Sequence, residues 1–153
     1  MTNSATGSGA RPRSVIFYDI PADARFPLVS KLASAAWEKG RRLIVRAFPE
    51  QAPALDEHLW VFREEAFVPH EVALDAASLL DPEARIVIVT RDVAPIAADI
   101  LVQLAPCELA FARGFETVID LVDATDDLRL NASRARFKAW SDAGLRPELK
   151  KTA

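Results

Sequence analysis

Apolar positions along the chain switch between continuous short runs and helical spacing. SVIFYDI (14–20) is a β-branched and aromatic run of strand length, followed by the turn-forming PADAR, and predicts a buried strand. From Phe26 to Lys39, Leu28, Val29, Leu32, Ala36 and Trp37 recur at helical spacing, and Gly40 stands where a helix C′ glycine belongs. RRLIVRAF (41–48) predicts a second strand. PEQAPALDEHLWVF (49–62) predicts a second helix, with Pro53 in its first turn or slightly displacing its start. REEAFVPHEVALD (63–75) reads as a loop with an apolar centre, and RIVIVT (85–90) as a third strand. Within RDVAPIAADILVQLAPCELA, periodicity alone admits either a helix from Pro95 to Leu104 or a short strand at DILVQL. FETVIDLV (115–122) is a clearer strand, residues 126–143 predict the last helix, closed by Gly144, and LRPELKKTA admits an edge strand that Pro147 limits. Strands alternating with helices imply an α/β fold: a mostly parallel central sheet with helices on both faces.

Composition adds boundaries. With 153 residues, 50% of them hydrophobic, the chain suits one α/β domain over 14–150 with a full core. The Gly/Ser-rich start, 1–13, is expected to be a disordered tail. No apolar run reaches the roughly 20 residues of a membrane-spanning helix, and the single Cys107 has no internal partner, so a reducing, cytoplasmic location is expected. A net charge of −3 and a sequence pI near 5.4 argue against nucleic acid as the main partner.

A strand-helix-strand start invites a nucleotide, whose phosphate needs glycines in the first strand-helix connection. That connection, DIPADARFP, has none, and neither GxGxxG nor GxxxxGK[ST] occurs anywhere. No cofactor is expected. His58 and His70 are too far apart for short metal-ligand spacing, and His58, in DEHLW, reads as a solvated or capping residue. Asp19, Asp120 and Asp123 fall near predicted strand ends, where metal-dependent phosphoryl-transfer sites sit, and make the best enzyme alternative. Against it, Asp is a common turn former at strand ends.

Two features suit protein partners instead. In the last helix, Arg134, Phe137, Lys138 and Ser141 share one stripe, and Arg129, Arg136 and Trp140 an adjoining one. Arg, an aromatic and Lys on one face fit an acidic-aromatic peptide or a free C-terminal carboxylate as well as a phosphate. The plainer alternative is a solvated basic face whose aromatics plug the core, and a third reading is a direct nucleic-acid-binding helix. Upstream, Trp60, Phe62, Phe67, Val68 and Pro69 spread apolar surface over a helix end and a loop, as a partner surface would.

Phe17-Tyr18, WEKGRRLIV (37–45), LDEHLW (55–60), AFVPH (66–70), FETVIDLV and RARFKAWSDAG (134–144) together resemble the chi subunit family of the bacterial DNA polymerase III holoenzyme. The blocks occur in family order over nearly all of 14–150, with Phe137 where the family often has Tyr and one extra residue between Arg129 and Arg134. The resemblance implies a non-catalytic adaptor with nucleotide-fold-like topology but no nucleotide site, and a strand at DILVQL. It further implies two protein partners: the acidic C-terminal tail of single-stranded DNA-binding protein, and the psi subunit of the clamp loader. By position, the tail would meet Arg134, Phe137 and Lys138, with Arg129 and Val122 alongside. The psi patch would be Trp60, Phe67 and Pro69, a surface some members also offer to a repair helicase.

Overall fold

A computed structural model describes residues 12–61, 68–73, 81 and 83–151. Within them, the apolar runs become strands of one parallel sheet: β1 (Ser14–Tyr18), β2 (Leu43–Arg46), β3 (Glu71–Ala73), β4 (Ile86–Val89), β5 (Ile100–Gln103), β6 (Thr117–Leu121) and β7 (Glu148–Lys150). Their order is β3-β4-β2-β5-β6-β1-β7, every pairing parallel. DILVQL is the central strand β5, and the helical spacing across Pro95–Leu104 has no helix behind it. Its Leu101, Val102 and Gln103 are buried because helices cover both sheet faces, so its apolar run is continuous where a half-exposed strand would alternate.

Four helices follow the predicted pattern with one addition: α1 (Arg25–Glu38), α2 (Ala52–Val61), the single turn α3 (Leu109–Ala112) and α4 (Asp127–Asp142). Pro53 sits in the first turn of α2, where its missing N–H costs no helical bond. Both glycine stops are realised. Gly40 (φ +68) and Gly144 (φ +90) take the left-handed conformation, and the N–H groups of Arg41 and Leu145 close back onto the Ala36 and Trp140 carbonyls at 2.8 and 3.1 Å.

The two periods meet in the core. Leu43, Val45, Ile86, Ile88, Val102, Ile119 and Leu121 point to one face, packed against α1 and α2. Val15, Phe17, Ile44, Val87, Val89, Leu101 and Val118 point to the other, with Ala112 of α3 and Trp140 of α4. Two strands fall outside the clear sequence signals. β3 lies in the segment expected to be loop: at three residues, with Val72 exposed at the edge, it is too short to show alternation. β7 is the admitted edge strand, pairing β1 directly after Pro147. Of the expected tail, residues 1–11 lie outside the described residues, whereas Arg13 already donates its N–H to the Glu116 carbonyl at 2.8 Å.

Candidate binding site on the last helix

Helix α4 starts where Asp126, in extended conformation, accepts the Arg129 N–H at 2.8 Å and so satisfies one free donor of the first turn. Its buried residues are Ser133 and Trp140. Arg136 lies on the same stripe, three residues after one and four before the other, and reaches the sheet.

The sheet register explains what it finds there. Leu149, Phe17, Asp120, Gln103 and Arg46 are successive neighbours across β7, β1, β6, β5 and β2. They form one row on the α4 side. Asp120 is fully buried in that row, and Arg136 grips both carboxylate oxygens, Nε to Oδ2 at 2.7 Å and Nη2 to Oδ1 at 3.0 Å. Burial pushes the Asp120 carboxyl up from its ordinary pKa, and the Arg136 fork pulls the other way. The Gln103 amide oxygen accepts the Cys107 N–H at 2.9 Å, and burial raises the Cys107 thiol far above the usual range.

Beside this anchor, between α4 and the β1-β7 edge, is a cavity of about 380 Å³. Phe17 and Leu149 line it from the sheet, Leu130, Ser133, Arg134, Phe137 and Lys138 from α4, and Val122 from the end of β6, with Asp19 at the end of β1. Four of the sequence-derived residues, Val122, Arg134, Phe137 and Lys138, therefore converge. Val122 is held from two sides: its N–H donates to the Tyr18 carbonyl at 2.9 Å and its carbonyl accepts from Arg25 at 3.2 Å. Arg134 makes no ion pair with any described residue, while Lys138, 75% exposed, reaches Asp142 at 2.8 Å. An apolar floor under two exposed cations can take an aromatic group and an anionic group of one ligand together.

Arg129 is not brought to the cavity. It turns to Asp123 (3.9 Å) and Asp126 (3.7 Å) and borders a separate hollow with Arg25 and Phe48. Ser141 likewise stays outside, its hydroxyl donating to the Phe137 carbonyl. Trp140 plugs the core as the plainer alternative expected, whereas Phe137 is only half-buried. Phe17, Leu130 and Leu149 were not legible as site residues, because their apolar character signals only core or surface.

The strand-end aspartates do not form the cluster the enzyme alternative needs. Asp19 lies 4.0 Å from Lys151, Asp120 is buried under Arg136, and Asp123 is held by Arg25 at 3.3 Å and by the Thr125 hydroxyl at 2.6 Å. Among the described residues, no three His, Cys, Asp or Glu side chains are placed to share a metal ion. Burial raises the Asp123 carboxyl, but the bonds from Thr125 and Arg25 together outweigh it and hold its pKa below the ordinary value.

At the far end of the sheet, α2 packs against β3 and β4. There Trp60 and Val61 are 54% and 70% exposed, and Trp60 meets the ring of His70 edge-on at 5.2 Å. His70 is fixed by Asp56 at 2.9 Å and by the Val68 carbonyl, and half-buried Pro69 lies beside it. Phe62 and Phe67 lie outside the described residues. His58 is neither solvated nor capping: it is half-buried, with Nδ1 2.9 Å from the Ser30 hydroxyl. No described helix is long and apolar enough to cross a membrane.

Comparison with known proteins agrees with this architecture. The sequence pattern of one family, described as DNA polymerase III chi subunit, HolC, matches residues 13–148. The DNA polymerase III subunit chi of Pseudomonas aeruginosa is 31% identical over 134 residues, covering 85% of this chain and 90% of that protein. That of Escherichia coli is 32% identical over 124 residues, covering 76% and 78%. A solved structure of the C-terminal domain of the DEAD-box protein Dbp5 superposes with a TM-score of 0.56 over 93% of this chain and 91% of that one, at 16% identity, a likeness of fold alone. Matched over nearly its whole length, the chain belongs to the DNA polymerase III chi subunit family, an accessory and not a catalytic component of that replicative polymerase.

Proposed function

We propose that this chain is a replication adaptor whose α4 cavity binds the acidic C-terminal tail of single-stranded DNA-binding protein, while the exposed end of α2 binds the psi subunit of the clamp loader. The observation that carries the reading is the convergence of Val122, Arg134, Phe137 and Lys138 on one cavity with an apolar floor. A tail ending in a phenylalanine carboxylate, with aspartates before it, matches that layout. Its ring enters over Phe17, Phe137 and Leu149, and its carboxylate meets the Arg134 guanidinium, which has no ionic partner among the described residues. Arg129, five positions earlier and about 7.5 Å along the helix axis, contributes a flanking charge and no cavity contact.

The second surface joins Trp60 and Pro69, with Phe67 between them in sequence, and a repair helicase is a competing occupant. The arrangement suits a tether. The cavity lies on the α4 face at the β7 edge, and Trp60 on the α2 face near the β3 edge, so both partners fit at once.

The test is titration of labelled tail peptide against the protein at two salt concentrations, beside a peptide lacking its terminal phenylalanine and a bare single-stranded oligonucleotide. The intact tail binds; added salt weakens it without eliminating it, since the ring contact is not screened. The truncated peptide binds poorly, and the oligonucleotide stays near the weak non-specific range of about 10⁻⁴ M. Equal binding of both peptides, or micromolar binding of the oligonucleotide at physiological salt, overturns the proposal.

A further inference from the structure

We infer that Arg136, which does not line the cavity, is the residue that positions it: its two-pronged hold on buried Asp120 sets the rotation and height of α4, so that Arg134, Phe137 and Lys138 face the β1-β7 edge. This rests on reading the cavity as the tail site, and adds to it a residue that acts through the helix without touching the ligand.

The apolar grip of α4 on the sheet is thin. Of its sixteen residues only Ser133 and Trp140 are buried, and one of these is polar. The buried indole of Trp140 and the partly buried ring of Phe137 hold the helix down without fixing its turn about its own axis, because apolar contact is non-directional. A guanidinium-carboxylate fork is directional, with two bonds at 2.7 and 3.0 Å from a planar group. The third bond, Arg136 Nη2 to the Ser133 hydroxyl at 3.2 Å, joins it to a second tie. That same hydroxyl accepts the Asp123 N–H at 3.0 Å, pinning the helix to the segment that carries Val122.

The geometry carries the hold into the cavity. Asp120 and Phe17 are direct neighbours in one row across β6 and β1. Successive residues on α4 are turned by about 100°. With Arg136 seated on Asp120, the next residue swings onto the neighbouring strand, and Phe137 meets Phe17 at 5.1 Å. Arg134 and Lys138, two residues to either side, are carried to the outer rim. A rotation of α4 by a fraction of one residue would move all three together.

The experiment replaces the fork by apolar groups of similar volume in the double variant Asp120→Leu/Arg136→Met, and separately by a charged group without a fork in Arg136→Lys. Exchanging a buried ion pair for packed apolar side chains usually leaves stability unchanged or raises it, so the double variant should melt within a few degrees of wild type. Its affinity for the tail peptide should nonetheless fall by roughly tenfold, because a loosened frame misplaces three contacts at once. Arg136→Lys should lose a similar part of the affinity while keeping the charge. Wild-type affinity in a folded double variant would show that packing alone orients α4 and would overturn the inference. If that variant is too unstable to assay, affinity of Arg136→Lys within about twofold of wild type overturns it. Arg134→Ala, measured in parallel, separates the two levels: unimpaired binding there means the cavity is not the tail site, and the positioning role falls with it.

Discussion

The ring of Phe137 stands edge-on to that of Phe17, with centroids 5.1 Å apart and planes at 63°. One side of Phe137 therefore belongs to the core beneath α4 and the other lines the cavity. Binding and folding share this ring, and variants must be read on both scales. Phe137→Ala should lower stability by about 1–3 kcal/mol, less than truncation of a fully buried phenylalanine. It should also weaken tail-peptide binding beyond detection by titration. Phe137→Tyr should keep both within error, because the ring is only partly buried and lines the cavity, where a hydroxyl can be accommodated. Chemical denaturation and peptide titration on the same preparations check this.

The three charges around the cavity should not be equivalent. Arg134→Ala should cost tail binding roughly 2–3 kcal/mol, or about 30- to 150-fold, since it removes a bidentate partner from a partly desolvated carboxylate. Lys138→Ala should cost less, because Lys138 is mostly exposed and already reaches Asp142. Asp19 lines the same cavity and repels an acidic ligand, so Asp19→Asn should tighten binding by roughly two- to fivefold. Titration at low and physiological salt gives all three, and a weaker Asp19→Asn complex would place the ligand's charge elsewhere.

Trp60→Ala should leave the melting temperature within a few degrees of wild type. The indole is more than half exposed, and the buried His70 ring that it meets edge-on is also held by Asp56 and the Val68 carbonyl. The same change should abolish co-purification with psi, since aromatic residues dominate binding energy at such surfaces. A large drop in melting temperature would assign Trp60 to the fold.

Asp123 should make the protein sensitive to acid. Its folded pKa lies below its ordinary value, so the folded state favours the ionised carboxylate more than the unfolded chain does. That stabilisation is fully present above about pH 4, the ordinary Asp range, and is lost as pH falls through the depressed folded value. Melting curves of wild type and Asp123→Asn between pH 7 and pH 3 should differ most at neutral pH and converge on acidification.

The order of strands and helices was legible because each element carries its own signal. Continuous β-branched runs mark strands buried on both faces, and helical spacing ended by Gly40 and Gly144 marks α1 and α4. The glycine-free turn after β1 argued against a phosphate site from local chemistry alone. β3 was not legible, since three residues at a sheet edge show no period, and β5 was ambiguous from periodicity until its central place in the sheet decided it.

The site divides in the same way. The sequence by itself determined that the last helix presents Arg, an aromatic and Lys at helical spacing, because i, i+3 and i+4 neighbours share a face whatever surrounds them. It separated Arg134, on the stripe with Phe137 and Lys138, from Arg136, on the adjoining stripe with Trp140, but not what either stripe faces. Only the tertiary structure decided that Arg136 faces the sheet and neutralises the buried Asp120, while Arg134 faces the cavity and makes no ion pair with any described residue. The reason is the phase of α4 relative to the strands. About 160° of rotation separates the two side chains, and the partner each one meets is set by which strand lies beneath it.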